Sequence, residues 1–233
     1  MSGSQPCVLA PVPVLGRFVV FALRGDVDAR AALLRVRDGV SVERTAIGIG
    51  QPLALALRAK IPGLRPFPAI AGPGVAFPST QGALWAFFAG SDHGAIFDRA
   101  RALAARLGEG FVLTEDVATF QYDGGRDLSG YEDGTENPTE DRAVKAAVLG
   151  GACKGLDGSS FVATQTYVHD LGVLARLSQT GRDHVIGRRH SDNTEIADAP
   201  ASAHVKRAAQ ESYSIPLASG DAASLPRPRP APL

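Results

Sequence analysis

Residues 92–108 read DHGAIFDRARALAARLG and form the clearest helical pattern in the chain. Asp92 is a residue type that caps a helix N-terminus, and Gly108 is a frequent helix terminator. Apolar side chains recur between them at helical spacing, at Ile96, Ala100, Leu103 and Leu107. Apolar runs typical of buried strands stand on both sides, ALWAFFA at 83–89 and FVLTEDVATFQY at 111–122. The stretch therefore predicts a strand–helix–strand unit.

A similar arrangement occurs earlier in the chain. Residues 17–24, RFVVFALR, predict a buried strand, and residues 40–49 predict a second one. Between them we expect a helix that Asp26 caps and Gly39 ends. Its predicted apolar face comprises Val27, Ala31 and Leu34. A Pro- and Gly-rich passage over 62–82 follows. The order βαββαβ predicts a ferredoxin-like unit of the α+β class, an antiparallel sheet covered on one side by two helices.

The second half of the chain predicts the start of a similar unit. Residues 160–169, SFVATQTYVH, are expected to form a strand, and residues 171–178 a short helix. Beyond Tyr213 the composition changes to IPLASGDAASLPRPRPAPL, whose prolines oppose a central strand or helix. We therefore expect a first unit over 1–122, an incomplete second unit over 123–212, and a disordered tail over 213–233.

Composition restricts the function classes. Lys and Arg together number 24, as do Asp and Glu, so net charge gives no argument for binding nucleic acid or an anionic membrane. The two cysteines lack CxxC spacing, which favours a reducing compartment over a disulfide framework. The N-terminus has no secretory pattern, and no run of eighteen apolar residues predicts a membrane span. We expect a cytoplasmic protein.

Candidate chemical groups occur in an acidic loop and among the histidines. The loop over 123–141 has seven carboxylates and includes GYEDGTENPTED at 130–141. A solvated turn-rich loop and a calcium loop are both open on composition, although the ligand spacing of a calcium loop is absent. Any of the five histidines could be a base or a metal ligand, or could simply be solvated. They are His93, His169, His184, His190 and His204.

Three stretches in order resemble the dye-decolorizing peroxidase family. They are GYEDGTENP at 130–138, TYVHDLGVLARL running into VIGRRHSDNTEI at 185–196, and AHVKR at 203–207. The first matches the G-x-x-D-G pattern of these haem enzymes, and the bacterial subgroup is the most similar. The resemblance implies two ferredoxin-like units that form an α+β barrel, in which the second unit here is incomplete.

The resemblance also implies a role for individual residues. One haem b per chain is expected, with His204 as the axial ligand of its iron. Asp133 is expected to be the catalytic carboxylate on the opposite side of the haem, moving a proton of hydrogen peroxide. Gly130, Gly134 and Thr135 would approach the porphyrin, and Arg188 would pair with a propionate. The implied partners are hydrogen peroxide, a dye, phenol or porphyrin reductant, and further copies of the chain in a homo-oligomer.

One family feature is absent from the sequence. Relatives have a distal arginine in a strand that reads roughly arginine-x-methionine-proline, whereas the corresponding region here contains only Arg227 and Arg229 between prolines. Neither is assigned that role. A frame shift or truncation relative to the family is one hypothesis, and a natural short variant is the other. Three functions follow: a haem peroxidase, a haem-binding or haem-transfer protein with little turnover, or a haem-free remnant of the fold.

Overall fold

The computed structural model describes residues 3–25, 28–151, 155–208, 214–216 and 222–224. Six strands and three α-helices lie between residues 15 and 120. They are β1 (Leu15–Leu23), α1 (Ala29–Arg37), β2 (Thr45–Ile49), α2 (Gln51–Ala56), β3 (Ile70–Gly72), β4 (Val75–Phe77), β5 (Leu84–Gly90), α3 (His93–Leu107) and β6 (Phe111–Phe120). Then follow α4 (Glu140–Ala147), α5 (Leu171–Arg176), α6 (Gln179–Ile186), α7 (His204–Ala208), β7 (Ser214–Pro216) and β8 (Ala222–Ser224).

The chain divides into two compact units. The first contains residues 1–121 together with 138–163, and the second contains residues 122–137 together with 164–233. The chain therefore leaves the first unit for the short segment 122–137, returns to it, and leaves it again at residue 164. The domain boundaries expected from the sequence at residues 122 and 212 stay predictions.

The first unit has the predicted ferredoxin-like sheet. Its strand order is β2-β5-β1-β6, and every neighbouring pair is antiparallel. Side chains alternate along β1 and β5, so that Val19 and Phe21 are buried together with Leu84, Ala86 and Phe88. Helices α1 and α3 cover this apolar face. The α+β class and the βαββαβ order are confirmed.

Helix α3 forms as the sequence predicts. The Asp92 side chain accepts a hydrogen bond from the backbone N–H of Ala95 at 2.7 Å, which satisfies one of the free donors of the first turn. Gly108 follows the last helical residue with φ of +70°. The buried residues of this helix are the four expected from its spacing, Ile96, Ala100, Leu103 and Leu107.

Helix α1 departs from the predicted face. Asp28 caps it, with the Ala31 N–H donating to its carboxylate at 2.9 Å, while Asp26 and Val27 lie outside the described residues. The buried positions are Ala29, Ala32 and Val36, and Leu34 is 40% exposed. The expected face was wrong by part of a turn because the cap lies two residues later than predicted.

Four further sequence expectations need correction. The strand expected over 40–49 begins only at Thr45, and the passage over 62–82 contains the hairpin β3–β4. Glu140 and Asp141, counted in the acidic loop, lie in the first turn of α4. The strand expected over 160–169 is wrong, since these residues have no regular structure. A strand needs backbone partners, and no described strand pairs with this stretch.

The second unit contains α5, α6, α7 and the loop that precedes α4. Two isolated antiparallel bridges occur in it, between Arg126 and Glu132 and between Arg188 and Glu195. Strands β7 and β8 pair with each other within 214–224, and the remainder of the predicted disordered tail lies outside the described residues. Within the ranges that the structure covers, no helix has the length and apolar character needed to cross a membrane.

The packing of α3 gives a stability prediction. Leu103 is fully buried in the core of the first unit, so Leu103→Ala removes apolar contacts and leaves a cavity. We expect the free energy of unfolding to fall by about 2–5 kcal/mol, measured by denaturant unfolding followed by circular dichroism. Leu55→Ala is the matched control, because Leu55 is 67% exposed. A loss at Leu55 equal to that at Leu103 would contradict the packing described here.

Candidate functional site

The 130–137 loop makes two sharp turns at glycines. Gly130 has φ of +87° and Gly134 has φ of +70°. Residues with a Cβ adopt this left-handed backbone conformation only at a cost in conformational energy. The N–H of Asn137 donates to the carbonyl of Gly134 at 2.9 Å and closes the second turn. A Cβ at Gly134 would lie 2.6 Å from the Asn137 side-chain amide nitrogen. Backbone conformation and space therefore both favour glycine at position 134.

Asp133 stands between these turns with its carboxylate exposed. Among the described residues its side chain accepts one hydrogen bond, from the N–H of Gly134 at 2.8 Å. No Lys, Arg or His side chain among the described residues lies within salt-bridge distance of the Asp133 carboxylate. The carboxylate is therefore free to meet a ligand, and its position depends on how the neighbouring residues hold the backbone.

Tyr131 fixes one side of this loop. Its side chain is buried, with 4% exposure, and its hydroxyl donates to Oδ1 of Asp183 on α6 at 2.5 Å. Gln179, one turn earlier on α6, donates from Nε2 to Asp183 Oδ1 at 2.8 Å and to the Tyr131 hydroxyl at 3.2 Å. The His190 ring packs edge-on against the Tyr131 ring, with 5.1 Å between their centroids.

The electrostatics of this pair favour a neutral phenol and an ionised carboxylate. Burial, followed by the hydrogen bond and the charge of Asp183, raises the pKa of Tyr131 above its ordinary value. Desolvation alone would raise the pKa of Asp183, but the hydrogen bonds from Tyr131, Gln179 and the His190 N–H outweigh it and lower that pKa. The pair therefore keeps its donor–acceptor arrangement over the neutral pH range.

Arg188 and Asn193 hold the other side of the loop. Arg188 donates from Nη2 to Glu136 at 2.8 Å and from Nη1 to the carbonyl of Asn193 at 3.0 Å. The side-chain amide of Asn193 donates to Glu132 at 3.0 Å and to the Thr135 hydroxyl at 2.9 Å. Asn193 adopts φ of +57°, which asparagine tolerates better than most residues. Residues on both sides of Asp133 are thus bound by the same turn after α6.

His204 is the first residue of α7, and it is exposed. Ala203, immediately before it, is fully buried and packs against Gly187, which ends α6 in a left-handed conformation with φ of +90°. A Cβ at Gly187 would lie 3.2 Å from the Ala203 Cβ and would overlap the Val205 side chain. The absence of a side chain at Gly187 therefore lets the segment around His204 approach the end of α6.

Known proteins that this chain resembles are dye-decolorizing peroxidases. The profile described as "Dyp-type peroxidase, C-terminal" matches residues 124–215, which include the loop, α6 and α7. A dye-decolorizing peroxidase of Mycobacterium tuberculosis is 35% identical over 144 residues, covering 61% of this chain and 43% of the relative. Among solved structures, DyPB from Rhodococcus jostii RHA1 has 28% identity and a TM-score of 0.78, covering 94% of this chain and 74% of that one. The chain is similar to dye-decolorizing peroxidases in sequence over its second half and in fold over most of its length.

Another similar solved structure contains heme. A DypB variant in complex with heme has 28% identity and a TM-score of 0.78, covering 96% of this chain and 76% of that one. The chain spans less than half the length of the curated dye-decolorizing peroxidase that it matches, at 43%.

All six residues assigned from the family resemblance lie in the second unit. They are Gly130, Asp133, Gly134, Thr135, Arg188 and His204. The structure joins Thr135 and Arg188 through Asn193, because Asn193 binds both of them. The roles of these six residues stay predictions. Arg227 and Arg229, which sequence analysis leaves without a role, lie outside the described residues.

Sequence reasoning missed Tyr131, Asp183, Asn193 and Gly187. Tyr131 lies inside GYEDG, and its aromatic ring in an otherwise polar stretch was the available signal for a buried position. Asp183 and Asn193 had no comparable signal, since both occur in polar segments. Among the described residues, no three side chains of His, Cys, Asp or Glu converge as metal ligands, so the calcium-loop alternative has no observed ligand set.

The residue types present fit a haem. His204 offers an exposed imidazole, which is a common axial ligand of haem iron. Arg188 offers a guanidinium that already binds one carboxylate, that of Glu136, at 2.8 Å, which is the chemistry a propionate requires. Gly130 and Gly134 remove side-chain bulk on both sides of Asp133. The imidazole thus suits the iron, the guanidinium suits a propionate, and the glycines leave room for the porphyrin ring.

The contact at Gly187 gives a prediction for the histidine segment. Gly187→Ala adds a methyl group at a residue with φ of +90° and against Ala203 and Val205, so α7 must move or the turn must rearrange. We expect the melting temperature to fall, and the haem affinity to fall together with it. Differential scanning fluorimetry and haem titration measure the two effects. Gly150→Ala is the control, because a Cβ there meets nothing within 4 Å; equal behaviour of both variants would contradict the assignment.

Proposed function

We propose that the chain is a haem-dependent peroxidase that uses hydrogen peroxide to oxidise dyes, phenols or porphyrin-like compounds. The observation that carries this proposal is the exposed Asp133 carboxylate, held between two fixed turns in the same compact unit as the exposed His204 imidazole. Similarity to dye-decolorizing peroxidases supports it, as does the heme in the solved structure of a similar protein. A carboxylate with free acceptor positions can take up a proton from a bound molecule and give it back.

The proposed cofactor is one haem b per chain. His204 would bind its iron, Arg188 would hydrogen-bond a propionate, and Gly130, Gly134 and Thr135 would lie against the porphyrin edge. When bound, the haem supplies the redox-active iron that accepts the oxidising equivalents of peroxide. The protein residues supply position, charge and proton transfer.

Asp133 performs the proton transfer in this proposal. Its carboxylate accepts a proton from one oxygen of hydrogen peroxide and returns it to the other oxygen, which leaves as water. The transfer requires a carboxylate that is ionised in the resting protein and close to both peroxide oxygens. The single hydrogen bond from the Gly134 N–H leaves acceptor positions on Asp133 for this purpose. The reducing substrate then supplies two electrons, one at a time, and with two protons these release the second peroxide oxygen as water as well.

A haem titration of the purified full chain tests the proposal. We expect a Soret band at one haem per chain, and a change of that band when peroxide is added. His204→Ala should lose the spectrum of the histidine complex, while His184→Ala, at an exposed position on α6, should retain it. Bound haem that never reacts with peroxide would favour a haem-binding or haem-transfer protein instead. Failure to bind haem at all would favour the haem-free remnant of the fold.

The role of Asp133 has its own test. Asp133→Asn removes the ionisable group but keeps the size of the side chain, so we expect the rate constant for reaction with peroxide to fall by about 10²- to 10⁴-fold. Stopped-flow absorbance of the Soret band measures this rate. Asp198→Asn is the matched control, because Asp198 is also exposed and makes no side-chain hydrogen bond in the described structure. An unchanged rate in Asp133→Asn would exclude proton transfer by this residue.

Two further expectations belong to this proposal. A cytoplasmic location follows from the cysteine usage, and assembly into a symmetric homo-oligomer follows from the family resemblance. Both stay predictions. Neutral net charge continues to give no reason to expect a nucleic acid partner.

A further inference from the structure

The position of Asp133 is determined by its neighbours in the chain. Among the described residues its own side chain makes one hydrogen bond, to the Gly134 N–H, which moves with the loop and does not attach it to another element. Three contacts tie the 130–137 loop to the region of α6 and the turn after it. They are Tyr131 with Asp183, Glu132 and Thr135 with Asn193, and Glu136 with Arg188.

Burial distinguishes the first of these contacts from the other two. The Glu132 and Glu136 side chains are 52% and 87% exposed, and ion pairs and hydrogen bonds of exposed side chains are weak because water competes for them. Tyr131 is only 4% exposed, and its hydroxyl meets an ionised acceptor. A hydrogen bond to a charged group is stronger than one between neutral groups, and breaking this one deprives the hydroxyl of a buried side chain of its carboxylate partner.

We propose that Tyr131 and Asp183 are positioning residues for Asp133: their part-buried hydrogen bond fastens the Gly130–Gly134 turn to helix α6 and thereby fixes the place of the proton-transferring carboxylate. Tyr131 lies two residues before Asp133, with a single intervening residue between the fixed side chain and the reactive one. This inference rests on the proposed function, because it assigns the positioning of a residue whose catalytic role is itself proposed.

Asp183 is well placed to serve as the fixed point. Its Oδ1 accepts from the Tyr131 hydroxyl, from Gln179 Nε2 and from the His190 N–H at 3.2 Å. The helix that bears it is capped at its start by Ser178, whose hydroxyl accepts from the Gly181 N–H at 3.1 Å. The His190 ring, packed against Tyr131, also lies 3.1 Å from the position of a Cβ at Gly130. The turn therefore has little room to shift on this side.

The first experiment uses the haem-free chain and requires no activity. Tyr131 faces Asp183, Gln179, Arg182 and His190, and the burial and carboxylate of this group oppose ionisation of the phenol more than Gln179 and Arg182 favour it. Absorbance at 295 nm during alkaline titration, with circular dichroism to confirm that the chain stays folded, should show one of the four tyrosines ionising later than the others. Tyr131→Phe should remove that late transition.

Matched variants make this titration specific. Tyr167→Phe is the control, because Tyr167 is 64% exposed and bonds only to Gln165, so it should leave the late transition in place. Asp183→Asn keeps an oxygen acceptor but removes the charge, and should move the late transition to lower pH. A late transition that survives in Tyr131→Phe, or that does not move in Asp183→Asn, would overturn the part-buried hydrogen bond itself.

The second experiment measures positioning in the haem-loaded chain. We expect Tyr131→Phe and Asp183→Ala to lower the rate constant for reaction with peroxide by about tenfold to a hundredfold, since small displacements of a reacting group cost this much. Asp183→Asn, which can still accept from Tyr131, should recover part of the rate. The Soret spectrum should stay that of the wild type, because the proposed iron ligand His204 is not altered, and any loss of haem affinity should be smaller than the loss of rate.

The outcomes separate the two proposals. Wild-type rates in both Tyr131→Phe and Asp183→Ala would overturn the positioning role, as would an equal loss in Tyr167→Phe. A parallel loss of rate, haem affinity and melting temperature would overturn it as well, because that pattern indicates general loss of structure. If the wild-type chain itself fails to react with peroxide, the proposed function fails, while the alkaline titration still decides whether the Tyr131–Asp183 bond exists.

Discussion

The first unit depends on the pairing of one strand with two neighbours. Strand β1 is antiparallel to β5 along one edge and to β6 along the other, so its backbone groups are satisfied on both sides. This places Val19 and Phe21 at the centre of the apolar face that α1 and α3 cover. The edge strand β2 is protected differently, because the Gln5 side-chain amide bonds both the N–H and the carbonyl of Ile47.

The second unit relies on side-chain contacts between distant parts of the sequence. Tyr131 and Asp183 are 52 residues apart, and Asn193 binds Glu132 across 61 residues. No described sheet comparable to that of the first unit supports this loop. The loop is therefore in place only when α6 and the turn after it are folded, and its geometry reflects one part-buried polar contact more than any regular backbone ladder.

These two kinds of order explain how much the sequence could predict. Periodicity revealed α3 and the strands around it, because each alternation or helical repeat reports burial directly. It failed for α1, where the cap at Asp28 sets the face, and for residues 160–169, where a strand-like run has no described strand beside it. The Tyr131–Asp183 bond was beyond such reasoning, since neither residue reveals its partner by spacing. Only the resemblance to dye-decolorizing peroxidases distinguished Asp133 from the neighbouring acids.

Gly187 shows how the two halves of the candidate site are related through α6. The helix presents Asp183 to the Asp133 loop, and four residues later its terminal glycine packs against Ala203, next to His204. The N–H of Gly187 donates to the Asp183 carbonyl at 2.6 Å. The short backbone segment from Asp183 to Gly187 therefore contacts both the loop that bears Asp133 and the segment that bears His204. A rigid helix end with contacts on two sides can keep a carboxylate loop and a histidine segment in register without a direct bond between them. In this arrangement the geometry of the site depends on the end of α6 at least as much as on the residues expected to perform the chemistry.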